Sequence, residues 1–169
     1  MLSARTFNVS TPNDLEIQMT RTFDAPRHLV WQAMSKPELI KRWLMGPPGW
    51  QLVTCDNDPR VGGAFHWVWR GPDNQQFSMR GVHREVVPNQ RMTRTEIFDM
   101  PGCAPHMAEQ LATLELTETA GRTHLTLTVA YTTKEARDAA LASGMEHGVS
   151  AGYDRLDTLL GDNALAATT

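Results

Sequence analysis

Hydrophobic and polar positions alternate along most of this chain, with a helical spacing at two places only. Residues 14–23 alternate, with Leu15, Ile17 and Met19 on one side against Glu16, Gln18 and Thr20 on the other, the mark of a half-buried strand. From Phe23 to Pro47 the period changes. Pro26 suits a helical start, and Leu29, Val30, Ala33 and Met34 follow at helical spacing. Ser35 and Glu38 have the spacing of a capping box for a second short helix, with Pro37 in its first turn. Leu39, Ile40, Trp43 and Leu44 supply its apolar face, and Gly46-Pro47-Pro48-Gly49 ends it.

Alternation then returns. Strands are expected over 50–55, 64–70, 76–87, 91–98, 109–119 and 122–131, with a turn at 56–59 and a bend or bulge at Val61-Gly62-Gly63. Phe65, Trp67 and Trp69 share one face of their strand; His66, Val68 and Arg70 share the other. Ala120-Gly121 makes a tight hairpin turn. Thr133 then caps a long helix expected to run to about Leu160 and stop at Gly161. The order β-α-α, six strands, α predicts an α+β domain with an antiparallel sheet. We expect a polar lead-in over 1–12, one domain over 13–162 and a tail over 163–169.

The late helix carries Gly144, Gly148 and Gly152 four residues apart, so they fall along one side. Each interior glycine costs a helix about 1 kcal/mol relative to alanine. Tight packing on the sheet, a bend at Ser143-Gly144, or a hollow lined by this face and opposed by Trp67 and Trp69 would each account for them.

Composition narrows the function classes. With 169 residues, 41% hydrophobic and 21% charged, the chain can build one ordinary core. A net charge of −3 with no basic block argues against nucleic acid. No apolar run reaches membrane-spanning length, and the first twenty residues lack a signal-peptide pattern, so a cytoplasmic protein is expected. Cys55 and Cys103 are too few for a disulfide framework and read as free thiols. Cys103-x-x-His106 has ligand spacing without a second pair, so no metal and no cofactor is expected. No phosphate loop, nucleophile elbow or carboxylate pair marks a catalytic residue. His28, His66 and His124 are expected outside. His83 shares parity with Phe77 and Met79 and reads as a hydrogen-bonded core residue. Arg94 and Glu96 share parity with Met92 and Phe98. Facing inward, they would be a ligand-orienting pair in an apolar cleft. With Thr93, Thr95 and Ile97 inward, the arrangement favoured here, they would be a surface ion pair.

The segments FDAPRHLVW at 23–31 and KPELIKRW at 36–43 with Gly46-Pro47, the Arg60–Gly63 bend, Gly144-Met145 through Gly148, and Tyr153-Asp154-Arg155-Leu156 together resemble the START-like SRPBCC superfamily. The branch is similar to the C-terminal domain of the activator of the heat-shock-protein-90 ATPase, over about residues 14–160. Leu44 and Val149 stand where relatives often carry aromatic residues. The resemblance implies a helix-grip fold: a curved antiparallel sheet around a long C-terminal helix, with a cavity between them. It implies an apolar or aromatic small-molecule ligand, or a chaperone partner; a cyclase- or hydrolase-like enzyme is the third reading. Trp43, Phe65, Trp67, Trp69, Met79, Leu127, Met145, Val149 and Tyr153 are the expected lining, with His83, Arg94 or Glu96 orienting a polar end. Exposed faces of Trp31 or Trp50 would allow a homodimer.

Overall fold

The computed structural model describes residues 6–99 and 109–161. The Cys103–His106 motif and the tail over 163–169 lie outside them. The eight strands are β1 (Asn8–Ser10), β2 (Glu16–Phe23), β3 (Gln51–Asn57), β4 (Ala64–Arg70), β5 (Gln76–Val87), β6 (Arg91–Asp99), β7 (Gln110–Thr119) and β8 (Arg122–Ala130). They form one antiparallel sheet in the order β1-β2-β8-β7-β6-β5-β4-β3. Helices α1 (Arg27–Ser35) and α2 (Pro37–Trp43) follow β2, and α3 (Lys134–Ala142) and α4 (Met145–Gly161) follow β8. The α+β, helix-grip class is as expected.

Several local expectations need correction. Part of the polar lead-in is β1, which pairs with β2 through Val9 and Met19. The chain from Gln51 stays extended through Asp56 and Asn57, which had read as a turn; they pair with His66 and Phe65 of β4. The Ser35–Glu38 capping box does not form. Only Lys36 separates the helices, so Ser35 remains in the last turn of α1 and donates back to the Trp31 carbonyl at 2.7 Å. Trp31 is buried, which removes one of the two faces offered for a dimer. Trp50 is half-buried, with its ring 4.9 Å from that of Phe77.

The late helix is two helices. Thr133 does cap α3, accepting from Ala136 N at 3.1 Å, but Gly144 takes φ +75° and breaks the rod before Met145. The three glycines therefore have separate roles. Gly144 makes the break, where an L side chain would be strained. Gly152 lies against the Trp43 ring, at ordinary contact distance for an added methyl (3.6 Å). Gly148 is exposed, with open space around it.

Pairing register places Ile17, Met19, Arg21 and Phe23 of β2 in line with Val129, Leu127, Leu125 and Thr123 of β8, and Leu127 in line with Leu114 and Met92. This is the inner face. Phe23, Trp43, Leu125, Tyr153, Leu156 and Leu159 form its main cluster, where α1 and α2 wedge α4 against the sheet. Trp43 Nε1 donates to the Ala33 carbonyl at 2.9 Å, and Arg155 Nη1 to the Gly46 carbonyl at 2.9 Å. Arg21, 3% exposed, pairs with Asp154 at 2.8 Å and Asp157 at 3.4 Å, tying β2 to α4.

His83 is wholly buried. Its Nε2 lies 2.7 Å from Asn57 Oδ1, and Asn57 Nδ2 donates to the Ser35 carbonyl at 2.7 Å. Since that amide nitrogen is committed to Ser35, the histidine must donate from Nε2. Burial, with a smaller push from the Arg94 charge, lowers its pKa to about 4. The β5–β6 contact is tight beside it. A Cβ on Gly81 would sit 1.7 Å from the Thr95 carbonyl oxygen and 2.8 Å from the Phe65 ring.

Two outcomes follow for stability. In urea unfolding, Gly81→Ala should lose about 3 kcal/mol or more through forced overpacking, whereas Gly148→Ala should gain about 0.5–1 kcal/mol; equal effects would contradict this packing. Folded His83 stays neutral down to about pH 4, while the unfolded chain's histidine takes up its proton near pH 6.5. Between those values the unfolded state binds more protons, so stability falls as pH drops through the window, and above it the histidine contributes nothing. His83→Gln should flatten that part of the profile; parallel wild-type and variant profiles would contradict it.

Candidate functional site

The inner face is not one continuous core. A second cluster joins Ile17, Met19, Ala112, Val129 and Tyr131, with Met145 and Val149 packed on it. A third joins Ile40, Cys55, Phe65, Trp67 and Trp69, with Phe77 and Met79. The backbone of α4 packs on α1, α2, α3 and β2 and comes at most sparsely near β3, β4 and β5. A seam therefore runs between α4 and the aromatic wing of the sheet.

Alternation builds that wing. Trp67 pairs with Cys55 and Met79, Met79 with Phe98, and Trp69 with Phe77, so their side chains rise in rows on one face. Trp69 stacks on Phe77 at 4.6 Å and donates Nε1–H to the Leu44 carbonyl at 3.0 Å. Phe65 lies 4.8 Å from Trp67 between ring centroids. Its approach to Gly81 is open because that residue has no side chain. Burial pushes the Cys55 thiol up to about 11, so it is an apolar filler rather than a nucleophile.

The favoured orientation of β6 is overturned. Arg94 faces His83 across β5 and Ala112 across β7, which puts Arg94 and Glu96 on the inner face. Their side chains are 17% and 6% exposed. Thr93 and Thr95 are buried too, but on the other side: Thr93 meets Thr113 at 3.3 Å, and Thr95 Oγ1 accepts from Val82 N at 3.0 Å. The alternation is ambiguous because both faces of β6 are covered. Arg94 reaches Glu96 Oε2 through Nε and Nη2, each at 2.9 Å, and Gln110 donates to Glu96 Oε1 at 3.0 Å. The guanidinium carbon lies 4.7 Å above the Phe65 ring and 4.6 Å above the Trp67 ring, a doubled cation–π arrangement.

Polar groups around this pair are under-used. Trp67 is 6% exposed, and its buried Nε1 has no hydrogen-bond partner among the described residues. Glu146, in the first turn of α4, buries Oε2 without a partner. Burial raises the Tyr153 hydroxyl well above its ordinary pKa, with opposing contributions from Arg94 and Glu96. Tyr131 is raised to about 12 by burial and by Glu96, and its hydroxyl lies 3.5 Å from Met145 Sδ.

The expected lining is distributed over all three clusters. Phe65, Trp67, Trp69 and Met79 form the sheet wing. Met145 and Val149 sit at the near end of α4, with Leu127 beneath them. Trp43 and Tyr153 are locked in the main cluster, their rings 6.0 Å apart. His83 stands behind Phe65, 5.9 Å from its ring, and is committed to Asn57. Sequence reasoning missed Asn57, Gln110, Tyr131 and Glu146, since only the strand register and the helix break bring them near. The two best-formed surface depressions lie elsewhere. One is bordered by Asn13–Glu16, Ala130 and Tyr131, the other by Arg27, Gln90, Arg91 and strand residues of β7 and β8. Neither is the hollow expected beneath the late helix. Among the described residues no group of His, Cys, Asp and Glu could hold a metal, and no helix is long and apolar enough to cross a membrane.

Known proteins place this arrangement in context. No curated protein matches the chain. A structure from Rhodobacter sphaeroides is 30% identical, with a TM-score of 0.84 over 92% of this chain and 98% of that one. One from Nitrosomonas europaea is 26% identical, with a TM-score of 0.78 over 91% and 99%. A Mycobacterium smegmatis structure at 24% identity and TM-score 0.80, covering 90% and 95%, shares the fold. The profile of the family described as activator of Hsp90 ATPase homolog 1-like protein matches residues 24–161. The chain therefore belongs to the activator of Hsp90 ATPase homolog 1-like family, within the START-like SRPBCC superfamily.

Proposed function

We propose that this protein binds an apolar or aromatic small molecule along the seam between α4 and strands β4–β6. The observation that carries this reading is the Arg94–Glu96 pair, seated on Phe65 and Trp67 where two apolar clusters fail to merge. A purely structural interior would gain by replacing such a pair with well-packed apolar side chains. A few polar groups among aromatic walls are what a small-molecule site uses for orientation. Trp67, Met79, Met145 and Val149 supply the walls; Arg94 and Glu96 hold the polar end. Burial of ligand area, at ~25 cal/mol per Å², supplies most of the affinity. Entry runs past the α3–α4 junction, where Gly144 interrupts the helix and leaves Met145 half-buried.

A second reading, a stand-alone activator of a chaperone ATPase, draws support from the family's description alone. An enzymatic reading has less support, because the buried, neutral His83 is already bonded to Asn57 and has no path to a substrate. Native mass spectrometry of gently purified protein should show a non-covalent adduct, or one formed in a broad screen of apolar compounds. A consistently empty protein that fails the screen, and that raises the turnover of the Hsp90 ATPase at saturation, would replace the ligand reading with the chaperone one.

A further inference from the structure

Trp67 carries a hydrogen-bond donor that the fold leaves unused. The residue is more than nine-tenths buried, and its Nε1 meets no acceptor. The other two interior tryptophans of this half use theirs: Trp43 donates to Ala33 and Trp69 to Leu44. A buried unpaired donor is a cost that native proteins rarely leave uncompensated. The neighbours of Trp67 do not compensate it. They are the ring of Phe65 at 4.8 Å, the ring of Trp69 at 6.0 Å and the Arg94 cation at 4.6 Å, which itself can only donate. A cation over the ring face draws electron density from the indole and strengthens the N–H as a donor.

The charge around this donor limits what it can accept from. Among the described residues Arg94 donates only to Glu96, so its charge is already neutralised. Glu146 adds another carboxylate near this end of α4, with Oε2 buried and unpaired. An anionic ligand would bring further negative charge into an enclosed site that has no spare cation. We infer that the ligand is an uncharged compound whose carbonyl-type oxygen accepts a hydrogen bond from Trp67 Nε1 while its apolar body lies along the aromatic wing. This inference rests on the small-molecule reading above and adds the chemistry of the ligand's polar end.

Three probes with one ring system test it: 2-acetylnaphthalene, 2-ethylnaphthalene and 2-naphthoate. Equilibrium dialysis measures affinity, and a nitrogen–proton correlation spectrum follows the Trp67 indole, assigned by its disappearance in Trp67→Phe. The acetyl compound should bind about fivefold tighter than the ethyl compound, the size of one net hydrogen bond, with 2-naphthoate weakest. Only the acetyl compound should move the Trp67 indole proton downfield. Trp67→Phe should erase the acetyl preference while leaving the ethyl affinity in place. Equal binding of the acetyl and ethyl probes, tightest binding of 2-naphthoate, or an acetyl preference that survives Trp67→Phe would overturn the inference and leave the small-molecule reading standing. Binding of none of the three would overturn both.

Discussion

The interior of this protein is organised around a charge pair that its own packing does not require. Arg94 and Glu96 stand on the inner face of the central strand β6, clamped to each other and backed by Gln110. Taking two ions out of water costs several kcal/mol each, and their mutual attraction only roughly repays it. The pair is tolerable here because Phe65 and Trp67 present π-faces to the guanidinium. It also keeps the apolar clusters on its two sides from merging. The separation of α4 from the aromatic wing follows from this.

The rest of the fold holds the seam in place without closing it. The α1–α2 wedge and the Arg21 bridge to Asp154 and Asp157 pin the far half of α4 against β2. The Gly144 break frees the near half from continuing the line of α3. On the sheet side, Gly81 lets β5 and β6 approach closely, and the Ser35–Asn57–His83 chain ties the end of α1 to β5. The rigid parts thus surround a region where helix and sheet meet lightly.

Much of this architecture is legible in the sequence. Period-two alternation located seven of the eight strands, and the 23–47 block gave both helices of the wedge. The misses share a physical cause: local pattern cannot see tertiary pairing. Residues 8–10 look like a polar lead-in until β2 offers them an edge. Ser35 has the spacing of a cap, but a one-residue link keeps it helical. Strand β6 misled because threonines are buried on one face and a neutralised ion pair on the other, so neither face looks apolar. The aromatic half of the site was readable from Phe65, Trp67 and Trp69 alone. Its polar half was not, because Asn57, Gln110 and Glu146 have no local signature.

The central claim is that the Arg94–Glu96 pair serves a guest rather than the fold. The most direct measurement is thermal unfolding and native mass spectrometry of the double variant Arg94→Met, Glu96→Leu. The account predicts stability within about 1 kcal/mol of wild type, or higher, together with loss of the bound small molecule. A double variant that unfolds, or one that retains the same adduct at wild-type occupancy, would contradict it.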